Sequence, residues 1–252
     1  MLEGSSIAVI VPAYNVSRTI ARVVRTMPAF VDRIIVIDDG SADATAAVVE
    51  SLNDSRVVLV RHGDNQGVGG AITTGYLLTR AHSFDVAAVM AGDGQMHPGD
   101  LCDLVLPVVR GSADYAKGNR LLHRDVARAM PWARWVGNSF LSAFTRLATG
   151  LRHIGDSQCG YTAIHRRVWR VLDPSAMWSR YGYPNHLLGA LALHDFRVVD
   201  VVVRAVYDGE RSGVRVRDAL ITVPRILAAV ARVRRRSAAR EIEAPGGFAV
   251  IR

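Results

Sequence analysis

The feature that most restricts the fold is an order of apolar run, polar loop and helical pattern that repeats four times. Residues 7–11, 34–37, 57–60 and 86–90 are apolar throughout. Unbroken apolar runs of this length suit parallel strands covered on both faces, whereas a strand with one wet face alternates. Helical patterns follow each: one behind Ser17 through Ile20, Val23, Val24 and Met27, then 42–52, then one ending near Arg80, then 101–109. Repeated strand, loop and helix predict an α/β chain built on a doubly wound, mostly parallel sheet flanked by helices. Further on, 126–149 predicts a long amphipathic helix, a helix runs to about His194, and 197–203 predicts another strand.

Open α/β sheets bind ligands at the carboxyl ends of their strands. The loops that fall there are Pro12-Ala13-Tyr14-Asn15, Asp38-Asp39-Gly40-Ser41, Asn65-Gln66-Gly67 and Gly92-Asp93-Gly94-Gln95. Four such loops reaching one edge predict a single ligand site. The last is the most telling. Asp93 stands between two glycines, which leaves room for a large charged ligand, and the oxygens of Asp93 and Gln95 suit Mg²⁺ or Mn²⁺. Taken alone, Asp93 would serve equally well as a helix-capping acid; the other three loops favour a site.

Composition removes several other classes. Cys102 and Cys159 lie far apart, without a CxxC or Cys/His cluster, so neither a disulfide framework nor a zinc site is indicated. The first apolar run is too short for a leader or a span, and 219–233 is interrupted by Pro224, Arg225 and Arg232. The expected location is cytoplasmic. The formal charge of +8 is unevenly placed: residues 1–203 carry 20 Arg/Lys against 18 Asp/Glu, and 204–240 carry 10 against 3. Such a segment suits an anionic partner or a solvated helix face. Nucleic acid is not the expected partner, because only the arginine-rich end supports it. Gly67-Val68-Gly69-Gly70 follows the third run rather than the first, which makes a dinucleotide fold a weak reading.

The ordered motifs Val11-Pro12-Ala13-Tyr14-Asn15, Ile37-Asp38-Asp39-Gly40-Ser41, Asn65-x-Gly67-x-Gly69 and Gly92-Asp93-Gly94-Gln95 resemble those of family 2 glycosyltransferases. These are inverting enzymes of the GT-A (Rossmann-like) fold with nucleotide-sugar donors. The nearest branch resembles dolichyl- and polyprenyl-phosphate sugar synthases, and the resemblance covers roughly residues 6–213. It implies that Asp38 or Asp39 holds the nucleoside, that Pro12, Ala13 and Tyr14, with Asn15, cradle base and ribose, and that Gly67 lies at the donor. Asp93 and Gln95 would hold the metal and the diphosphate of a UDP- or GDP-linked sugar. The family's usual DADGQ reads Ala91-Gly92-Asp93-Gly94-Gln95 here, so the first acid is missing and metal affinity is expected to be weaker. Val68 stands where a lysine is common, which removes one phosphate contact.

The resemblance extends to later residues. Arg120, in Lys117-Gly118-Asn119-Arg120, matches an arginine placed near phosphates, and Arg211 and Ser212 match a segment that closes over the donor diphosphate. Asp156, opening Asp156-Ser157-Gln158-Cys159-Gly160-Tyr161, resembles the acceptor-side acid. A hydroxyl acceptor would need a base such as Asp156, whereas a phosphate acceptor is already ionised. Trp132, Trp135, Phe140, Leu141 and Phe144 form a stripe expected to face the core or to line an acceptor channel.

The expected organisation is a catalytic domain over 1–215, a basic amphipathic helix over 216–236 and a flexible tail over 237–252. The helix would dock peripherally on the inner membrane face, or pack on the sheet or a second subunit. The expected activity is transfer to a polyprenyl phosphate. The alternatives are a soluble transferase acting on a small hydroxylated metabolite and a catalytically weak nucleotide-sugar-binding protein.

Overall fold

The computed structural model describes residues 1–204, 206 and 221–243. One seven-stranded sheet organises them: β1 (Ile7–Ala13), β2 (Arg33–Asp38), β3 (Val57–Arg61), β4 (Val86–Val89), β5 (Tyr115–Asn119), β6 (Thr162–His165) and β7 (Val198–Val202). The order is β3-β2-β1-β4-β6-β5-β7. β1, β2, β3 and β4 run parallel, and β5 pairs in parallel with β7. β6 alone is antiparallel, to both β4 and β5. The mostly parallel sheet expected from the apolar runs is therefore present, with one reversed strand.

The runs of β1, β2 and β4 are apolar on both faces because each face is covered; β3, at the sheet edge, is only partly covered and leaves Val58 exposed. Ile7, Val9 and Val11 join a core with α1 (Ile20–Arg25) and α4 (Leu101–Val109). Ala8 and Ile10 join the opposite core with α3 (Val68–Ala81) and α7 (Tyr183–Leu193). The α3 backbone crosses β1 so closely that a Cβ on Gly75 would lie 2.3 Å from Ile10. α2 (Thr45–Glu50) is shorter than the expected 42–52, because Ala42 and Asp43 belong to the loop before it.

Three expectations are corrected. The long helix is broken at Pro131 into α5 (Val126–Ala129) and α6 (Trp132–Thr149), since proline cannot donate within a helix. The aromatic stripe of α6 does not face the core: Trp132 is 79 % exposed and Phe140 63 %. The buried face of α6 is polar instead, with Ser142, Thr145 and Thr149. The basic helix α8 occupies Val223–Glu243, so it continues past the expected end at 236. It packs against α6 and α7, burying Val223, Ile226, Leu227 and Val230.

Candidate active site

The four predicted loops meet at one edge, tied to one another by backbone and side-chain hydrogen bonds. The Asp39 N–H donates to Ala13 O at 2.8 Å and the Gly92 N–H to Pro12 O at 3.0 Å, which fixes the second and fourth loops on the first. Asn15, in the left-handed region at φ 53°, receives the Ala42 N–H on Oδ1 at 2.9 Å, while its own N–H donates to Ser41 Oγ. Asp43 braces the same junction. Burial raises its carboxyl pKa, but hydrogen bonds from Thr45 and Ser17 together outweigh that and hold it at about 2. Asn15 thus works as a staple between loops. Pro12, Ala13 and the half-exposed Tyr14 form the wall beside it.

The two adjacent acids have different duties. Asp39 is buried and accepts the N–H groups of Gln66 and Gly67 at 2.9 and 2.8 Å, and its Oδ1 lies 2.7 Å from His62 Nδ1. His62 Nε2 in turn meets Thr74 Oγ1. Asp39 therefore holds the glycine loop in place. Asp38, equally buried at the end of β2, takes a single carboxylate hydrogen bond among the described residues, from the Ser41 N–H at 3.2 Å. Of the two, Asp38 has the capacity to bind a ligand.

The glycine loop lies against protein. The Gly70 N–H donates to Ser179 O at 2.7 Å, and a Cβ on Gly69 would lie 2.1 Å from Trp178 O. Gly67, at φ 88°, has no room for a Cβ beside Ser179 O and the Arg180 side chain. The structure so brings an exposed cation, Arg180, to the edge where the loops meet, which sequence reasoning missed. Its only signal was the absence of side chains at Gly67 and Gly69.

In the fourth loop the Gln95 N–H donates to Asp93 Oδ1 at 3.0 Å, and Thr19 Oγ1 donates to Gly92 O at 2.7 Å. A Cβ on Gly94, at φ 79°, would lie 2.8 Å from Arg22 Nη2, so a second cation borders the Asp93 turn. Among the described residues no group of three or more His, Cys, Asp or Glu side chains gathers to hold a metal. Asp93 and Gln95 offer two hard oxygen donors. That set fits an ion of the Mg²⁺ type, which keeps several waters and is held through one or two carboxylates plus substrate phosphates.

The string from Asp156 to Tyr161 adjoins this loop: Tyr161 OH donates to His97 O at 3.1 Å. Asp156 is completely buried, with Arg120 Nε on Oδ2 at 2.7 Å, Arg120 Nη2 on Oδ1 at 3.2 Å and the Gln158 N–H also on Oδ1. Both carboxylate oxygens are engaged, so Asp156 orients Arg120. Below it, Ser157 Oγ is within 3.1 Å of Thr145 Oγ1, and Asn185 Nδ2 donates to Thr145 Oγ1 at 2.7 Å, which pins the turn to α6 and α7. Lys117, the only lysine, is fully buried on β5, donates to Cys159 O, and has its pKa lowered by desolvation. Arg211 and Ser212 lie outside the described residues.

An α/β sheet with its ligand loops at the switch between β1 and β4 is the architecture of GT-A transferases. The chain belongs to glycosyl transferase family 2, whose model matches residues 8–172. It is 30 % identical over 216 residues to the UDP-N-acetylglucosamine–dolichyl-phosphate N-acetylglucosaminyltransferase of Methanococcus voltae, covering 80 % of this chain and 86 % of that one. It is also 30 % identical over 227 residues to the polyprenol monophosphomannose synthase of Mycolicibacterium smegmatis, covering 85 % and 84 %. In fold it matches the crystal structure of glucosyl-3-phosphoglycerate synthase from Mycobacterium tuberculosis with uridine diphosphate: TM-score 0.67, 22 % identity, 91 % of this chain and 81 % of that one. A second crystal structure of that synthase, with Mn²⁺, uridine diphosphate and glucosyl-3-phosphoglycerate, matches at TM-score 0.65 and 20 % identity, with 91 % and 81 % covered. Among the described residues no helix is long and apolar enough to cross a membrane.

Proposed function

We propose that this chain moves a sugar from a nucleoside-diphosphate sugar, with inversion, to a polyprenyl phosphate presented at a membrane face. The observation that carries the reading is the placement of Asp38 and Asp93. They sit at the carboxyl ends of β2 and β4, on either side of β1, with the Pro12–Tyr14 wall between them. Asp38 would bind the nucleoside, and Asp93 with Gln95 would bind the diphosphate. A divalent ion on Asp93 and Gln95 would offset charge on the departing diphosphate. Arg22 beside Gly94 and Arg180 beside Gly67 bring fixed positive charge to these loops, Arg120 would add its own from the Asp156 side, and Arg211 and Ser212 would close over the diphosphate.

The acceptor oxygen forms a bond to the anomeric carbon on the face opposite the nucleoside diphosphate. The bond from that carbon to the diphosphate breaks, and its electron pair leaves with the diphosphate. A phosphate monoester enters already ionised and needs no proton removed. That agrees with Asp156, whose oxygens are committed to Arg120 and Gln158. It also agrees with the lipid-phosphate acceptors in the names of the Methanococcus and Mycolicibacterium relatives. The second reading, a small soluble acceptor, draws on the glucosyl-3-phosphoglycerate synthase fold match.

The test is calorimetric titration with UDP and GDP, each with and without Mn²⁺, followed by transfer to a short-chain polyprenyl phosphate. One nucleotide is expected to bind more tightly with the ion, and Asp93→Ala is expected to remove that dependence. Transfer to the lipid phosphate, but not to phosphoglycerate, would separate the two acceptors. If neither nucleotide binds in the presence of the ion, the reading fails.

A further inference from the structure

Helix α6 is built inside out. Its exposed positions are Trp132, Trp135, Val136, Phe140, Phe144 and Leu147, with only alanine and glycine between them, while hydroxyl side chains occupy the buried face. Those hydroxyls hold the 156–158 turn through Ser157, so the helix is anchored by its polar side and presents its apolar side outward. Phe140 and Phe144 stack edge to face there, ring centroids 4.8 Å apart. An aromatic stripe of this size on a soluble surface marks an interaction site.

The charges around the stripe are of one sign. Residues 126–155 hold four arginines and no acid, and residues 221–234, on the helix packed beside them, hold three arginines and no acid; the helix's two glutamates, Glu241 and Glu243, come only in its last three residues. Where the two helices meet, a cleft of about 320 Å³ is lined by Arg146, Leu147, Gly150, Arg152 and Arg234. Gly150, at φ 77°, closes α6 without a side chain, and a Cβ there would overlap the Arg234 guanidinium. The cleft contains none of the donor-site residues. A second copy of the chain would bring these arginines against one another, because a two-fold interface pairs like with like. An anionic bilayer offers what the face lacks: hydrocarbon for the stripe and phosphates for the arginines.

We infer that α6 is the membrane-docking element of this protein. Its aromatic face enters the headgroup boundary of an anionic bilayer, and the Arg146/Arg152/Arg234 cleft receives a lipid headgroup phosphate. The inference rests on the proposed function only in naming the side from which a lipid-linked acceptor arrives.

The experiment is co-sedimentation of the full chain with vesicles of equimolar phosphatidylglycerol and phosphatidylcholine, and with vesicles of phosphatidylcholine alone. Wild type is expected to bind the anionic vesicles about tenfold or more tightly than the neutral ones. Phe140→Ser/Phe144→Ser is expected to lose vesicle binding of both kinds. Arg152→Gln/Arg234→Gln is expected to lose only the preference for anionic vesicles. Circular dichroism and transfer to a detergent-solubilised polyprenyl phosphate serve as controls, and the phenylalanine variant should match wild type in both. Wild type that docks but does not transfer would remove the lipid acceptor and leave the docking helix standing. The inference is overturned if the phenylalanine variant sediments like wild type, or if wild type is a dimer that this variant makes monomeric.

Discussion

At the scale of single residues, the neighbouring carboxylates Asp38 and Asp39 should separate folding from binding. Asp39→Ala would strand the part-buried N–H groups of Gln66 and Gly67, each costing about 1–2 kcal/mol, so a loss of about 2–4 kcal/mol is expected in urea unfolding. Asp38→Ala strands only the Ser41 N–H, at about 1 kcal/mol, but should weaken nucleotide binding about tenfold or more. Equal losses of stability in the two variants would remove the distinction. Asp200 offers a pH test. Its Oδ2 accepts from Asn119 Nδ2 and the Gly155 N–H, both at 2.6 Å, while its Oδ1 is buried without a partner. Burial raises its pKa above the ordinary 3.8. A raised carboxyl pKa gives stability that is present below 3.8 and lost as pH rises through the folded value. Asp200→Asn has no charge to bury, so its stability relative to wild type should climb across that window. Parallel stability curves would show that the carboxyl titrates as it does in the unfolded chain.

At the scale of elements, legibility followed how each strand is covered. β1, β2 and β4 could be read because parallel strands between two helical layers are apolar on both faces, β3 because its run is apolar although the sheet edge leaves it partly open, and the polar loops because they end those runs. β5 could not. Tyr115–Asn119 is buried at every position yet contains Lys117 and Asn119, and a hydrophobic pattern cannot find a strand whose buried groups are satisfied by hydrogen bonds. β6 is as short as β4 but lacks its unbroken apolar run, since Thr162 and His165 flank only Ala163 and Ile164. For α6 the periodicity gave the stripe but not its direction. Apolar spacing says that a helix has two faces, and the buried serine and threonine partners on 157 and 185 decide which one turns inward. In the site, Asp93 and Gln95 were legible as oxygen donors. The coupling of Asp156 to Arg120 was not, because 36 residues separate them and only the pairing of β5 with β6 brings their strands together.

At the scale of the whole molecule, the question is whether the basic helix is an appendage or part of the fold. Val223, Ile226, Leu227 and Val230 are buried against α6 and α7. Two glycines make room for them: a Cβ on Gly189 would lie 2.4 Å from Val230, and one on Gly182 2.8 Å from Ile226. Burying an aliphatic side chain contributes roughly 1.5–3 kcal/mol as an upper estimate, so removing four would take several kcal/mol from a domain whose net stability is roughly 5–15 kcal/mol. A chain ending at residue 220 is therefore expected to unfold at a clearly lower urea concentration. The damage should be lopsided. Asn185 on α7 and Thr145 on α6 pin the 156–158 turn, whereas Asp38, Asp39 and the first loop are tied together without them. Under conditions where the shortened chain remains folded, nucleotide binding should survive within about threefold, while KM for the acceptor rises about tenfold or more, because a loosened turn no longer holds Arg120 through Asp156. An unchanged urea midpoint would show that α8 is only attached. Equal losses on the donor and acceptor sides would show that the two halves of the site are held by one framework.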